Sequence, residues 1–144
     1  ALKEAGFLIV VVTNQPDVGN GIVKKMVIES MHYQLSQALI LDAIKVCYHA
    51  QSEGCSCRKP KPGMLLEASQ ELGIDLSQST MIGDRSSDVL AGIAAGVNRT
   101  IFIDYGYLEP QLGKADAVVY SLQEAAKVIL GSHHSLLDSD QNNY

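Results

Sequence analysis

The residues with the most pointed chemistry in this chain are Cys47, His49, Cys55 and Cys57. All 3 cysteines and one of the 4 histidines fall in this one stretch. Thiolate sulfur and imidazole nitrogen are the soft donors that Zn2+ takes in a closed tetrahedral site. In an extended segment alternate residues point the same way, so Cys47 with His49 and Cys55 with Cys57 form two arms that can face each other across residues 50–54. Four protein ligands leave no open position, so such a metal is structural and pins its loop; chemistry on a substrate has to be sought elsewhere. The competing reading, buried free thiols beside an unrelated histidine, fits less well, because free cysteines are usually dispersed through a core.

The pinned loop runs straight into Arg58-Lys59-Pro60-Lys61-Pro62-Gly63. Cations stiffened by two prolines can present fixed positive charge to an anion. Arg58 and Lys59 are the candidates; Lys61 reads as part of a solvated turn. Thr13-Asn14-Gln15-Pro16 offers a hydroxyl and two amides, groups that suit a phosphate oxygen and also occur in ordinary turns. Gly83-Asp84-Arg85-Ser86-Ser87-Asp88 holds two carboxylates one helical turn apart, able to approach a common hard cation such as Mg2+; helix N-capping is the competing use.

These groups need a scaffold that brings them together. Five apolar runs rich in β-branched residues, Phe7–Thr13, Ala43–His49, Thr80–Asp84, Thr100–Asp104 and Ala117–Ser121, read as buried parallel strands. Between them helical spacing recurs over Lys24–Ile40 (Val27, Met31, Leu35, Leu39), Gly63–Leu72, Ser87–Ala95 and Leu122–Leu130. Alternation of this kind predicts an α/β fold: an open, mostly parallel, Rossmann-like sheet with helices on both faces. In such sheets ligands gather at the carboxyl ends of strands, where Thr13, Cys47 and Asp84 fall. Residues 1–131 are expected to form one core and 132–144 a mobile polar tail without helical period. Ala1–Ala5 are good helix formers and Gly6 suits a helix end, so the chain is expected to begin inside a helix whose feeding strand is absent.

Composition narrows the partners. With 144 residues, 47% of them hydrophobic, one core can be buried but not two. A formal net charge of −5 with no Lys/Arg run disfavours nucleic acid. The longest apolar stretch, Phe7 to Val12, is far below the ~20 residues of a membrane span. Clustered, odd-numbered cysteines point to a reducing compartment, the cytoplasm.

Taken together, Thr13-Asn14-Gln15, the Cys-x-His and Cys-x-Cys arms running into Cys57-Arg58-Lys59-Pro60, and Gly83-Asp84-Arg85-x-x-Asp88 resemble the haloacid dehalogenase superfamily of phosphatases. The zinc-loop branch of heptose-1,7-bisphosphate and histidinol-phosphate phosphatases is the most similar part of it. The resemblance implies that the Thr13 hydroxyl binds the transferring phosphoryl group, with Asn14 and Gln15 beside the substrate. It implies that Lys59 balances charge on the phosphoryl oxygens and that Arg58 recognises substrate. Asp84 would ligate a catalytic Mg2+, with Asp88 orienting Lys59 or metal-bound water. Cys47, His49, Cys55 and Cys57 would hold a structural Zn2+ in a small loop that replaces a large cap.

One departure stands out. The family's first motif is an Asp-x-Asp at the end of the first strand, one carboxylate attacking phosphorus and the other serving as acid and base. No predicted strand ends in that motif; Asp138-Ser139-Asp140 has the letters only, in the polar tail. The expectation is therefore a core without its first strand. Three readings follow. The first is a Mg-dependent hydrolase of a small sugar phosphate or histidinol phosphate acting through an aspartyl-phosphate. The second is an inactive, zinc-stabilised phosphate-binding module. The third is an unrelated α/β phosphate acceptor, which would need an acidic pocket of early-strand aspartates that the sequence lacks. The partner is a small phosphorylated metabolite, and the oligomeric state is left open.

Overall fold

The computed structural model of the chain describes residues 1–108 and 113–140, with side chains described through Gly131. All five predicted strands form: β1 (Val10–Asn14), β2 (Ala43–Cys47), β3 (Thr80–Gly83), β4 (Arg99–Ile103) and β5 (Ala117–Val119). The helices are α1 (Pro16–Gly19), α2 (Lys25–Ala38), α3 (Gly63–Leu72), α4 (Ser86–Ala95) and α5 (Leu122–Asp140). Short 3-10 turns at Gln51–Glu53 and Leu76–Gln78 and the one-turn α1, set up by Pro16 at its first position, were not expected from periodicity.

Every strand pair is parallel, as the alternation of strands and helices requires. The ladders fall into two sheets, β1-β2 and β3-β4-β5, where the sequence reading has one. Helix α3 joins them by packing on β1 and β2 and on α4, and Val12 of β1 packs against the buried Leu65, Met81 and Ala91. The second sheet carries the main apolar core: Ile101, Ile103, Val119, Ala125 and Ile129, closed by Leu2 and Phe7 from the start of the chain. A fully buried Ile such as Ile101 contributes roughly 1.5–3 kcal/mol relative to an exposed one.

Residues 1–6 make one helical turn, with the Ala5 N–H donating to the Ala1 carbonyl at 3.0 Å, and end at Gly6 with φ +87°. Lys3 then ties this turn to the first sheet. Its ammonium donates to both oxygens of Asp42 at 2.9 and 2.8 Å, and Asp42 also accepts from the Ile9 N–H.

Two expectations need correction. On α2 the stripe Val27, Met31, Leu35, Leu39 is not a buried face: Val27, Met31 and Leu39 are each about half exposed and Ile28 is the one buried residue among those described. A two-stranded sheet offers little surface for a helix of this length to cover, so periodicity sets the helix and not its burial. The last helix also runs past its expected end at Leu130, its backbone continuing helical through Asp140. Residues 141–144 of the predicted polar tail lie outside the described residues. No helix among the described residues is long and apolar enough to cross a membrane.

Candidate active site and metal centre

The parallel register of β1 and β2 sets Asn14 opposite Cys47, and the Gln15 N–H extends the ladder to the Cys47 carbonyl at 2.8 Å. The carboxyl ends of the two strands therefore deliver Thr13-Asn14-Gln15 and the first sulfur ligand to the same edge. From Cys47 the chain loops through Tyr48 and His49 and returns at Cys55 and Cys57.

All four predicted ligands meet, their donor atoms lying within 4.8 Å of one another. Sulfur–sulfur separations are 3.2 Å for Cys47–Cys57, 3.4 Å for Cys55–Cys57 and 3.6 Å for Cys47–Cys55. His49 turns Nδ1 toward Cys57 at 3.2 Å and Cys47 at 3.6 Å. Zinc–sulfur bonds in a tetrahedron span about 3.8 Å between sulfurs, so the donors need only a small outward adjustment. The residues present fit Zn2+ by donor type and mutual distance. Burial, followed by the neighbouring Cys47 and Cys55 sulfurs, pushes the Cys57 thiol up to about 12. Cys55 is pulled down to about 7: burial opposes this, but hydrogen bonds from the Arg58 backbone and the other two thiols outweigh it. A divalent ion would remove this competition for a single negative charge.

The loop is braced from outside as well. Lys61 donates to the Gly54 and Cys55 carbonyls at 2.8 and 2.7 Å, so it bolts the loop instead of serving a solvated turn. Lys25 of α2 sits 4.9 Å from the centroid of the Tyr48 ring. A Cβ at Gly19 would collide with the backbone of His49 and Ala50, so only glycine lets the end of α1 lie against the metal loop.

Lys59 lies where the loop crosses the first sheet. Its ammonium donates to the Val12 carbonyl at 2.8 Å and pairs with Asp88 Oδ1 at 2.6 Å, with both side chains largely buried. Asp88 Oδ2 accepts the Arg85 N–H at 3.0 Å, which caps the first turn of α4. Both carboxylate oxygens of Asp88 thus have a partner, and one of them is Lys59, the residue that the resemblance has Asp88 orient. Asp84 itself stands half-buried just past the end of β3. A buried ion pair needs supporting hydrogen bonds to offset its desolvation, and this one has them at both ends.

Asn14 forms two hydrogen bonds with the backbone of Lys59, each 3.1 Å long. Gln15 donates to the Thr13 hydroxyl at 3.1 Å, filling an acceptor position and leaving the hydroxyl proton for another partner. An open cavity of about 340 Å³ is lined by Asn14, Gln51, Arg58, Lys59, Lys61 and Ser87 among others. Arg58 lines this cavity, and its Nη1 is buried with no hydrogen-bond partner. Thr13 and Asp84 are not part of this wall.

Gly83 opens the Gly83-Asp84-Arg85 motif, where the sequence gives it no role of its own, yet the site depends on it. A Cβ there would overlap the Cβ and Oδ2 of Asp88, so the carboxylate reaches Lys59 only across a glycine. The available signal was a glycine ending an apolar strand, which marks close approach. Arg85 lies 4.6 Å from the centroid of the Tyr107 ring, another contact with no local signature.

The chain is similar to known proteins in both sequence and fold. Residues 56–125 match the HAD-hydrolase-like family model. The D-glycero-beta-D-manno-heptose-1,7-bisphosphate 7-phosphatase of Pasteurella multocida is 38% identical over 143 residues, covering 90% of this chain and 78% of that protein. Its namesake from Yersinia pestis is 37% identical over 142 residues, covering 89% and 76%. Among solved structures, the D,D-heptose 1.7-bisphosphate phosphatase from B. bronchiseptica, complexed with magnesium and phosphate, superposes with a TM-score of 0.81 at 27% identity. That superposition covers 91% of this chain and 78% of the other.

Proposed function

Because the chain belongs to the haloacid dehalogenase-like hydrolases, we propose that its site takes a small sugar bisphosphate of the heptose-1,7-bisphosphate type and serves phosphomonoester hydrolysis. The observation that carries this reading is the Lys59 ammonium, fixed between Val12 and Asp88 with one N–H still to give. A phosphoryl group suits that remaining donor together with the Thr13 hydroxyl, whose acceptor side is already filled by Gln15. Arg58 lines the same cavity, and its guanidinium suits a further anionic group of the substrate, as a bisphosphate offers.

Two metals accompany the reading. Zn2+ would be held by Cys47, His49, Cys55 and Cys57 and would fix the approach of Arg58 and Lys59. Mg2+ would be held through Asp84 and would supply charge neutralisation at the phosphate. Asp88 holds Lys59, and Asn14 and Gln15 serve through Lys59 and Thr13. The chemistry calls for a carboxylate nucleophile forming an aspartyl-phosphate, and no strand among the described residues ends in Asp-x-Asp. The working compartment is the cytoplasm, where the three thiols stay available to metal.

The reading is tested by titrating heptose 1,7-bisphosphate, histidinol phosphate and inorganic phosphate into the zinc-loaded chain with Mg2+. The bisphosphate is expected to bind tightest, to lose affinity in Arg58→Met and Lys59→Met, and to be hydrolysed near background by these 144 residues alone. Indifference to both substitutions overturns the site, and robust turnover overturns the requirement for the Asp-x-Asp nucleophile.

A further inference from the structure

We infer that Asn14 is a positioning residue that sets Lys59 for the anion; the purpose of the positioning rests on the phosphate reading above, whereas the clamp itself does not. Asn14 Oδ1 accepts the Lys59 N–H and Asn14 Nδ2 donates to the Lys59 carbonyl, both at 3.1 Å. Only one orientation of the amide satisfies both bonds, because a flipped group would set N–H against N–H and carbonyl against carbonyl. One side chain at the end of β1 thus captures both polar backbone groups of a residue far along the chain.

The segment around Lys59 has no other regular anchor. It lies in a turn closed by the Lys61 N–H on the Arg58 carbonyl, between the metal loop and the start of α3. No strand ladder fixes its height over β1. Lysine is a long, flexible donor, so a fixed ammonium requires a fixed root as well as a held tip. The tip is held by Val12 and Asp88, and Asn14 holds the root. The zinc loop fixes the entry to this segment, two residues upstream at Cys57, and Asn14 fixes the residue that carries the charge.

Asn14 has a second Nδ2 hydrogen and lines the cavity, so direct contact with the anion is the rival role. The two separate in a double-mutant cycle read by isothermal titration of inorganic phosphate into the zinc-loaded chain with Mg2+. Asn14→Leu keeps the size and removes both bonds, and is expected to weaken phosphate about tenfold. In a Lys59→Met background the same change is expected to cost less than about twofold, since nothing remains to position. An equal loss in both backgrounds assigns Asn14 to direct contact and overturns the positioning role, as does an unchanged affinity in the native background.

Amide exchange at Lys59, resolved by NMR, reads the clamp without any ligand. It is expected to quicken about tenfold or more in Asn14→Leu and less in Asn14→Asp, which keeps the acceptor at the same shape. Exchange unchanged in both variants, with full zinc content, overturns the clamp. Failure of the native chain to bind phosphate overturns the phosphate reading, and the exchange result then decides the clamp alone.

Discussion

The two sheets are built on different physics. In β3-β4-β5, side chains of Met81, Ile101, Ile103 and Val119 are buried against α4 and α5, and the apolar cluster around Ile101 holds the layer together. In β1-β2 only Cys47 is fully buried, and the structure is held by directional links. Those links are Lys3 on Asp42, Asn14 on Lys59, Lys59 on Asp88, Lys45 on Glu67 and Glu71, and the sulfur–imidazole cluster. Apolar packing is strong and indifferent to direction, which suits a scaffold. Polar links are weaker one by one but fix charges in place, which suits a site. The division places most of the apolar packing in one half and most of the candidate polar groups in the other, with Asp84 and Asp88 reaching in from the end of β3 and the start of α4.

The largest effect expected from this contrast is on metal. Structural zinc in small domains is worth about 10–16 kcal/mol of apparent binding energy, so chelation or Cys57→Ser should abolish zinc binding and release the first half. Hydrogen exchange should show protection lost across residues 47–63 and kept across Arg99–Ile103. Protection lost in both together would break the contrast.

Next in size is Ile101→Ala, which removes a fully buried side chain from the apolar half. Denaturant unfolding should show a loss of about 2–5 kcal/mol, with zinc stoichiometry in the native baseline unchanged. A loss well below that range would mean that the second sheet is not the stabilising core. A smaller cost attaches to Gly83→Ala. The new methyl displaces the Asp88 carboxylate and is expected to cost about 1–3 kcal/mol, while weakening phosphate binding through Lys59. A normal thermal midpoint with normal phosphate affinity would refute the role given to that glycine.

The smallest effect is on the acid limb, and it sharpens the contrast because each half offers a carboxylate to test. Asp42 is held below its ordinary value of 3.8 first by the Lys3 hydrogen bond and then by the Ile9 N–H. Asp116 is held down by the Thr100 N–H and then by its hydroxyl. With native values depressed, the unfolded chain takes up protons first. The stabilisation is complete above the ordinary carboxylate value and is lost as pH falls through the lower native one. Asp42→Asn and Asp116→Asn should each flatten the fall in stability below about pH 4, the first in exchange protection near Ile9 and the second near Thr100. An unaltered acid limb in either variant would remove that carboxylate from the account.

Much of the scaffold was legible in the sequence because burial writes itself into periodicity. Gly63–Leu72 was read to the residue, and each strand to within a few residues, since β-branched runs fit only a sheet covered on both faces. Helix α2 marks the limit. Its stripe of Val27, Met31 and Leu39 has the spacing of a buried face, yet the neighbour that would bury it is a matter of topology. The continuation of α5 through Asp140 was missed for a related reason, since a polar helical end has no apolar period to announce it.

The candidate site divides in the same way. Residue type and spacing alone picked out the four candidate metal ligands, because sulfur and imidazole have few other reasons to gather in one short loop, and Lys59 and Arg58 stood out by adjacency to it. What only the tertiary structure decided were the pairings across the chain: Asn14 with the Lys59 backbone, Lys59 with Asp88, Gly83 making room for that carboxylate, and Lys61 bolting the loop. Each joins elements brought together by parallel crossovers, and a hydrogen bond of 3 Å between residues 45 apart leaves no local pattern. Local chemistry is written in the order of residues, and the direction in which a charge is aimed is settled when the layers close.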